Sequence, residues 1–229
     1  MKKLLAILLI AGFSMAARAA DDQEKLAARL DSARIVLDQV MSTPDHAVPD
    51  GIVRHARCIA VVPGVVKGAF IVGAEYGQGV VTCRTGHGWS GPVFIRLAGG
   101  SFGFQIGGQG TDLVLVAVND KGFQDLLHDK FKIGGDASAA AGPVGRDAQA
   151  STDISMRAEL LTWSRSRGVF AGIDLNGVSV SQNTGDTDVL YGSPHHFDAI
   201  LHGQVPPPPP AMGFLRTVHQ YFGDAVWHQ

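Results

Sequence analysis

Charge is scarce in this chain: 17% of its 229 residues are Asp, Glu, Lys or Arg. Because 45% are hydrophobic, the scarcity excludes a disordered, solvating chain. A basic excess is also missing, with 19 Lys plus Arg against 21 Asp plus Glu. That balance argues against nucleic acid, whose non-specific binding rests on phosphate neutralisation. The 29 glycines have no period of three, so a collagen-like chain is excluded. Only two cysteines occur, and neither has a C-x-x-C or H-x-x-x-H partner at the spacing of a metal site. No repeat of solenoid length is present. What remains is a chain long enough for a real core, with abundant glycine and short apolar runs. That composition points to many short strands joined by tight turns.

At the N-terminus, Lys2 and Lys3 precede an apolar run over residues 4–13, followed by Ala17-Arg18-Ala19. Charged start, apolar middle and small-residue end make the pattern of a secretory signal. The run falls short of the ~20 apolar residues that a membrane span needs. Cleavage after Ala19 or Ala20 removes Lys2, Lys3 and Arg18, leaving 16 basic against 21 acidic residues and a net charge of −5. Export would place Cys58 and Cys83 where a disulfide is permitted; a bridge and two buried free thiols both fit the sequence. The expected organisation is a signal over residues 1–19, one domain over 20–205, and a polyproline spacer with an aromatic-rich C-terminal helix over 206–229.

Leu26, Leu30, Ala33, Leu37 and Val40 recur at intervals of three and four, which predicts a helix over residues 23–41. From residue 58 to 118 the pattern turns to β, with apolar or alternating runs at 58–62, 69–75, 80–84, 93–97, 102–106 and 113–118. Glycine-rich links between them, Pro63-Gly64, Tyr76-Gly77-Gln78-Gly79 and residues 98–101 among them, read as turns. Links this short imply antiparallel neighbours and a curled meander. A capped helix is expected over 121–128, a hairpin at Leu175-Asn176-Gly177, short helices at 189–191 and 197–201, and a helix after the prolines. The predicted fold is α+β: a curved antiparallel sheet or partly closed barrel with N-terminal, middle and C-terminal helices packed on it.

Two motif matches fail on context. Gly86-His87-Gly88-Trp89-Ser90-Gly91 fits G-x-G-x-x-G but leads into Pro92 and a β-run, whereas the dinucleotide motif must open a helix. Gly99-Gly100-Ser101-Phe102-Gly103 fits G-x-S-x-G, yet strand patterns flank it; a nucleophile elbow needs a strand-to-helix turn. The serine hydrolase reading rests on Ser101 alone and is set aside. Nine scattered histidines make no metal site, no carboxylate pair stands out, and no cofactor is called for. Arg165 and Arg167 share a strand face by their period of two. Arg146 follows Ala141-Gly142-Pro143-Val144-Gly145, a glycine-rich loop able to form an anion-binding concavity. Lys25, Arg29 and Arg34 track one side of the first helix, a layout that suits an anionic membrane surface.

An ordered series of motifs resembles the SYLF domain family. It runs through Cys58-Ile-Ala-Val-Val-Pro63, Gly68-Ala-Phe-Ile-Val-Gly73, Trp89-Ser-Gly-Pro-Val-Phe94 and Gly100-Ser-Phe-Gly-Phe-Gln-Ile-Gly107. It continues through Ala140-Ala-Gly-Pro-Val-Gly-Arg146 and Trp163-Ser-Arg-Ser-Arg-Gly168 to Tyr191-Gly192. The resemblance covers roughly residues 24–203. It implies a non-enzymatic, phospholipid-binding domain, described as actin-binding in some eukaryotic proteins, whose N-terminal helix and basic residues help meet the membrane. On that basis Lys25, Arg29, Arg34, Arg146, Arg165 and Arg167 are the expected lipid-binding residues. Export would separate the chain from cytoplasmic actin, leaving anionic envelope phospholipid as the expected partner. The alternative is an envelope structural or protein-interaction module that docks a protein through Pro206 to Pro210.

Overall fold

In a computed structural model of the chain, the described residues are 2–43, 47–103, 109–143, 158–166, 169–170 and 175–223. Helix α1 (Lys2–Met41) leads into a short α2 (Asp50–His55), which starts after an extended Pro49. The strands are β1 (Cys58–Thr85), β2 (Gly88–Trp89), β3 (Val93–Gly103), β4 (Gln109–Ala117), β5 (Lys130–Lys132), β6 (Ala139–Ala141), β7 (Leu160–Ser166), β8 (Val169–Phe170) and β9 (Ser179–Gln182). Helix α3 (Asp120–Leu127) follows β4. After β9 come α4 (Thr184–Tyr191), α5 (Phe197–Leu201), a 3-10 turn at Pro209–Ala211 and α6 (Met212–Phe222).

β1 folds back on itself. Arg84 N donates to Arg57 O at 2.7 Å, and the Cα atoms of Cys58 and Cys83 are 4.0 Å apart. Residues 58–67 form the outgoing arm, which pairs with β4, and residues 71–81 lie on the return arm, which pairs with β3. The order of these four antiparallel segments places the last beside the first, a Greek key and not the expected meander. Around them the sheet runs β5-β9-β3-β1-β4-β7-β6 and curls into a half-barrel.

Three expected turns are strand interior. Pro63-Gly64 is a bulge, where the register with β4 shifts between Val62 and Val65; Gly64, at φ +58°, donates its N–H to Asp112 Oδ1 at 2.9 Å. Gly79 sits where the opposite arm comes close: a Cβ there would meet Val61 O at 2.4 Å. Gly99 faces Val178 in the same way, at 2.9 Å. These glycines allow close approach of neighbouring strands. Two pairings also differ from expectation: β6 joins β7 in parallel, and β9 joins β3 and β5 where a hairpin with β8 was expected.

Both faces of the sheet are covered, which explains why the strands read as continuous apolar runs. On the outer face Ile59, Val61, Val80, Phe94, Val114, Val116, Leu161 and Trp163 pack with Leu26, Leu30, Ala33, Leu37 and Val40 of α1 and with Phe214 and Val218 of α6. On the inner face Cys58, Ala60, Val62, Cys83, Ile95 and Leu115 pack with α3 and α5. Each fully buried leucine of the α1 stripe contributes roughly 1.5–3 kcal/mol. That fixes α1 against the sheet. Cys58 and Cys83 are joined in a disulfide at the root of the β1 hairpin.

Candidate functional site

The cations expected to meet a membrane are held by protein groups wherever they are described. Arg29 points inward: Nη1 lies 2.5 Å from Asp186 Oδ2, with the guanidinium 5.2 Å from the Phe94 ring centroid. Asp186 in turn accepts from Asn183 Nδ2 at 2.6 Å, and Asn183 Oδ1 accepts from Arg96 Nη2 at 2.5 Å. Lys25 meets Asp21 at 2.5 Å and Arg34 meets Asp31 at 2.7 Å, both within α1. Arg165 donates to Gln39 Oε1 at 2.5 Å, joining β7 to α1. Arg146 and Arg167 lie outside the described residues. The four described cations are not brought together at one site, and Lys25, Arg29 and Arg34 act as ties along and beneath α1.

Other motifs resolve structurally as well. Ser101 lies within β3, paired opposite Gly73, and not at the strand-to-helix turn that exposes a nucleophile. Among the described residues, no three His, Cys, Asp or Glu side chains converge as metal ligands, and no helix is long and apolar enough to cross a membrane. Pro208 is extended at φ −72° and ψ 153°, but Pro209 already belongs to the 3-10 turn that opens α6. The expected polyproline helix is thus cut short at its third residue.

A polar cleft of about 320 Å³, lined by Lys121, Asp136, Ser138, Glu159 and Asn176 among others, lies beside α3. Lys121 Nζ is 2.6 Å from Glu159 Oε1 and 3.6 Å from Asp125 Oδ2. Burial pushes the Asp125 carboxyl above its usual range. Burial acts in the same direction on Glu159, but hydrogen bonds from Lys121 and Ser138 outweigh it and hold that carboxyl low. Its bond to Glu159 raises Lys121. One lysine thus serves two carboxylates, and no nucleophile–base pair is present among the described residues of the cleft.

Among the described residues four large apolar residues are exposed: Ile35 on α1, Met212 at the start of α6, and Val66 and Tyr76 on β1. Val66 and Tyr76 are 51% and 49% exposed, and both belong to the far half of the β1 hairpin. Residues 65–74, 97–103 and 109–111, at that end of the sheet, contain Lys67 and no Asp or Glu; Glu75, opposite Gly99, is buried, and Asp112 accepts from the Gly64 N–H. The sequence reading missed this region because it treated Tyr76-Gly77-Gln78-Gly79 as a turn. The available signal was the length of chain without a carboxylate.

The comparisons place the chain among known proteins. A family-wide sequence model, Ysc84, described as "Las17-binding protein actin regulator", matches residues 98–221, more than half of the chain. The chain belongs to the Ysc84 (SYLF) domain family. It is 33% identical over 180 residues to the rat "SH3 domain-containing YSC84-like protein 1", covering 78% of this chain and 53% of that protein. The human protein of the same name is 31% identical over 180 residues, with 78% and 52% covered. "LAS seventeen-binding protein 3" of Saccharomyces cerevisiae is 29% identical over 207 residues, covering 88% of this chain and 44% of the yeast protein. The chain thus spans about half the length of these relatives, and the family and the yeast relative are named for binding.

Proposed function

We propose that this chain is an exported, non-catalytic domain that associates with anionic phospholipid head groups of the cell envelope. The observation that carries the reading is the segregation of charge. A chain with net charge −5 over residues 20–229 has no exposed carboxylate among the described residues at that end of its sheet, where Lys67 lies. Glu75 is buried there, and Asp112 is half-buried and bound by the Gly64 N–H. An anionic surface repels the rest of the molecule and tolerates that end, so the charge distribution orients the approach. The signal-like N-terminus and the Cys58–Cys83 bridge support an oxidising, extracytoplasmic site. One lysine near an anionic surface contributes about 1 kcal/mol, so apolar contact must supply most of the affinity.

The test is co-sedimentation of the purified protein with vesicles of phosphatidylcholine alone and with added phosphatidylglycerol. We expect binding to the anionic vesicles, weakened by salt within the range over which exposed charges are screened. Absence of binding to either vesicle type rejects the reading. The relatives' names favour a second reading, a protein-docking module, for which Pro206 to Pro210 is the candidate segment, with all but the half-buried Pro208 exposed. The turn at Pro209–Ala211 leaves little extended polyproline for a partner groove to grip, and the lipid reading is preferred.

A further inference from the structure

We propose that the far end of the β1 hairpin is the part that enters the lipid interface, with Val66 and Tyr76 as its apolar contact pair. The proposal rests on the phospholipid reading above and gives it a location. Gly77 lies against Val65, where a Cβ would meet Val65 Cγ2 at 3.0 Å, so Val66 and Tyr76 are neighbours across the two arms. They belong to the outer face, which carries Ile59, Val61 and Val80 nearer the hairpin root. There the face is covered by α1 and α6; at Val66 and Tyr76 about half of each residue is open to solvent. Their lateral neighbours in register are Gly110 beside Val66 and Ala98 beside Tyr76. Small neighbours leave the two large side chains standing proud of the sheet.

Chemistry and area decide the occupant. Tyr76 combines an aromatic body with a hydroxyl that accepts from Gln78 Nε2 at 2.8 Å, and rings with one apolar and one polar end favour the membrane–water boundary. A patch of two large side chains is far short of the roughly 800 Å² that each partner contributes to a stable protein interface. Both arms are already paired, with β3 and β4, so no strand of a second copy can add to them. The disulfide at the hairpin root holds the arms in place before contact, which reduces the ordering cost of binding. Helix α1 cannot serve in parallel through its apolar stripe, because that stripe is buried under α6 and against the sheet.

The experiment compares the parent, Val66→Ser/Tyr76→Ser and Lys25→Gln/Arg34→Gln on phosphatidylglycerol-containing vesicles at low salt. Circular dichroism serves as the check that each variant is folded. The hairpin double variant should bind at least about tenfold more weakly, the loss expected when two apolar contacts are removed. The α1 double variant should stay within about threefold of the parent, the range of small surface-charge effects. In a second measurement, the emission of a Tyr76→Trp variant should shift to the blue when those vesicles are added. Parent-like binding by the hairpin variant, or an unshifted Tyr76→Trp spectrum while the protein sediments with vesicles, overturns the location and leaves the phospholipid reading standing. Failure of the parent to bind any vesicle overturns both. A parent dimer that the hairpin variant abolishes, without vesicle binding, assigns the patch to a second copy and likewise overturns the proposal.

Discussion

Arg29 of α1 and Asp186 of α4, 157 positions apart in the chain, meet at 2.5 Å. An exposed ion pair contributes about 0–1 kcal/mol, and breaking a buried one costs about 3–5. With side chains 20% and 28% exposed, this pair lies between those limits. Replacing Arg29 by Gln should lower the unfolding free energy by about 1–2 kcal/mol, read from the urea midpoint. It should leave vesicle binding by the folded variant unchanged. A normal midpoint with weakened lipid binding would return Arg29 to the membrane side.

The Cys58–Cys83 bridge closes a separation of 25 residues. Removing a crosslink over a loop of that size costs about 3 kcal/mol through the unfolded chain. Denaturation of the Cys58→Ala/Cys83→Ala variant should show this loss and no longer respond to reductant. Equal midpoints for parent and variant under oxidising conditions would show that the crosslink contributes nothing.

Two glycines should respond oppositely to alanine. At Gly79 the new Cβ would sit 2.4 Å from Val61 O, a backbone atom of the facing arm, whereas at Gly185 nothing lies within 4 Å. Gly79→Ala should therefore destabilise by more than about 2 kcal/mol, as overpacked core sites do. Gly185→Ala, inside α4, should stabilise by about 0.5–1 kcal/mol. Thermal unfolding of the pair checks both signs, and a tolerated Gly79→Ala would contradict the close packing of the two arms.

Alkaline pH should find two reluctant tyrosines. Burial raises the phenol of Tyr191, which donates to Pro92 O at 3.1 Å. Tyr221 is raised by its hydrogen bond to Asp38. A folded-state value above the unfolded value of ~10 means the contribution is fully present below that pH and is lost as pH rises toward the folded value. Spectrophotometric titration should show delayed ionisation for these two of the chain's three tyrosines. Tyr191→Phe should flatten the fall in stability above pH ~10. Undelayed ionisation of Tyr191 and Tyr221 would refute this.

Periodicity served the helices better than the strands. The α1 stripe was legible because only one side of that helix is buried, so Leu26, Leu30, Ala33, Leu37 and Val40 stand out at helical spacing. The β1 hairpin is buried on both faces near its root, at residues 58–62 and 79–83, which erases alternation there. Its glycines then resemble turns although they answer to a facing strand. The half-barrel and its flanking helices could be anticipated, but the Greek-key return of β4 to the outgoing arm is a long-range pairing without a local signal. The candidate cations show a similar limit: spacing placed Arg29 beside the apolar stripe, yet its partner Asp186 is known only from the folded chain.

Helix α1 is the first described element of the chain, and its covering is the last. Tyr221 donates to Asp38 of α1 at 2.6 Å. Arg84 and Trp89 hold the end of α6 through the carbonyls of Phe222 and Gly223. Synthesis proceeds from the N-terminus, and domains ordinarily close as their parts emerge. Here the outer layer cannot be sealed until Phe222 has left the ribosome. Until then the apolar stripe of α1 and the outer face of the sheet keep part of their surface uncovered.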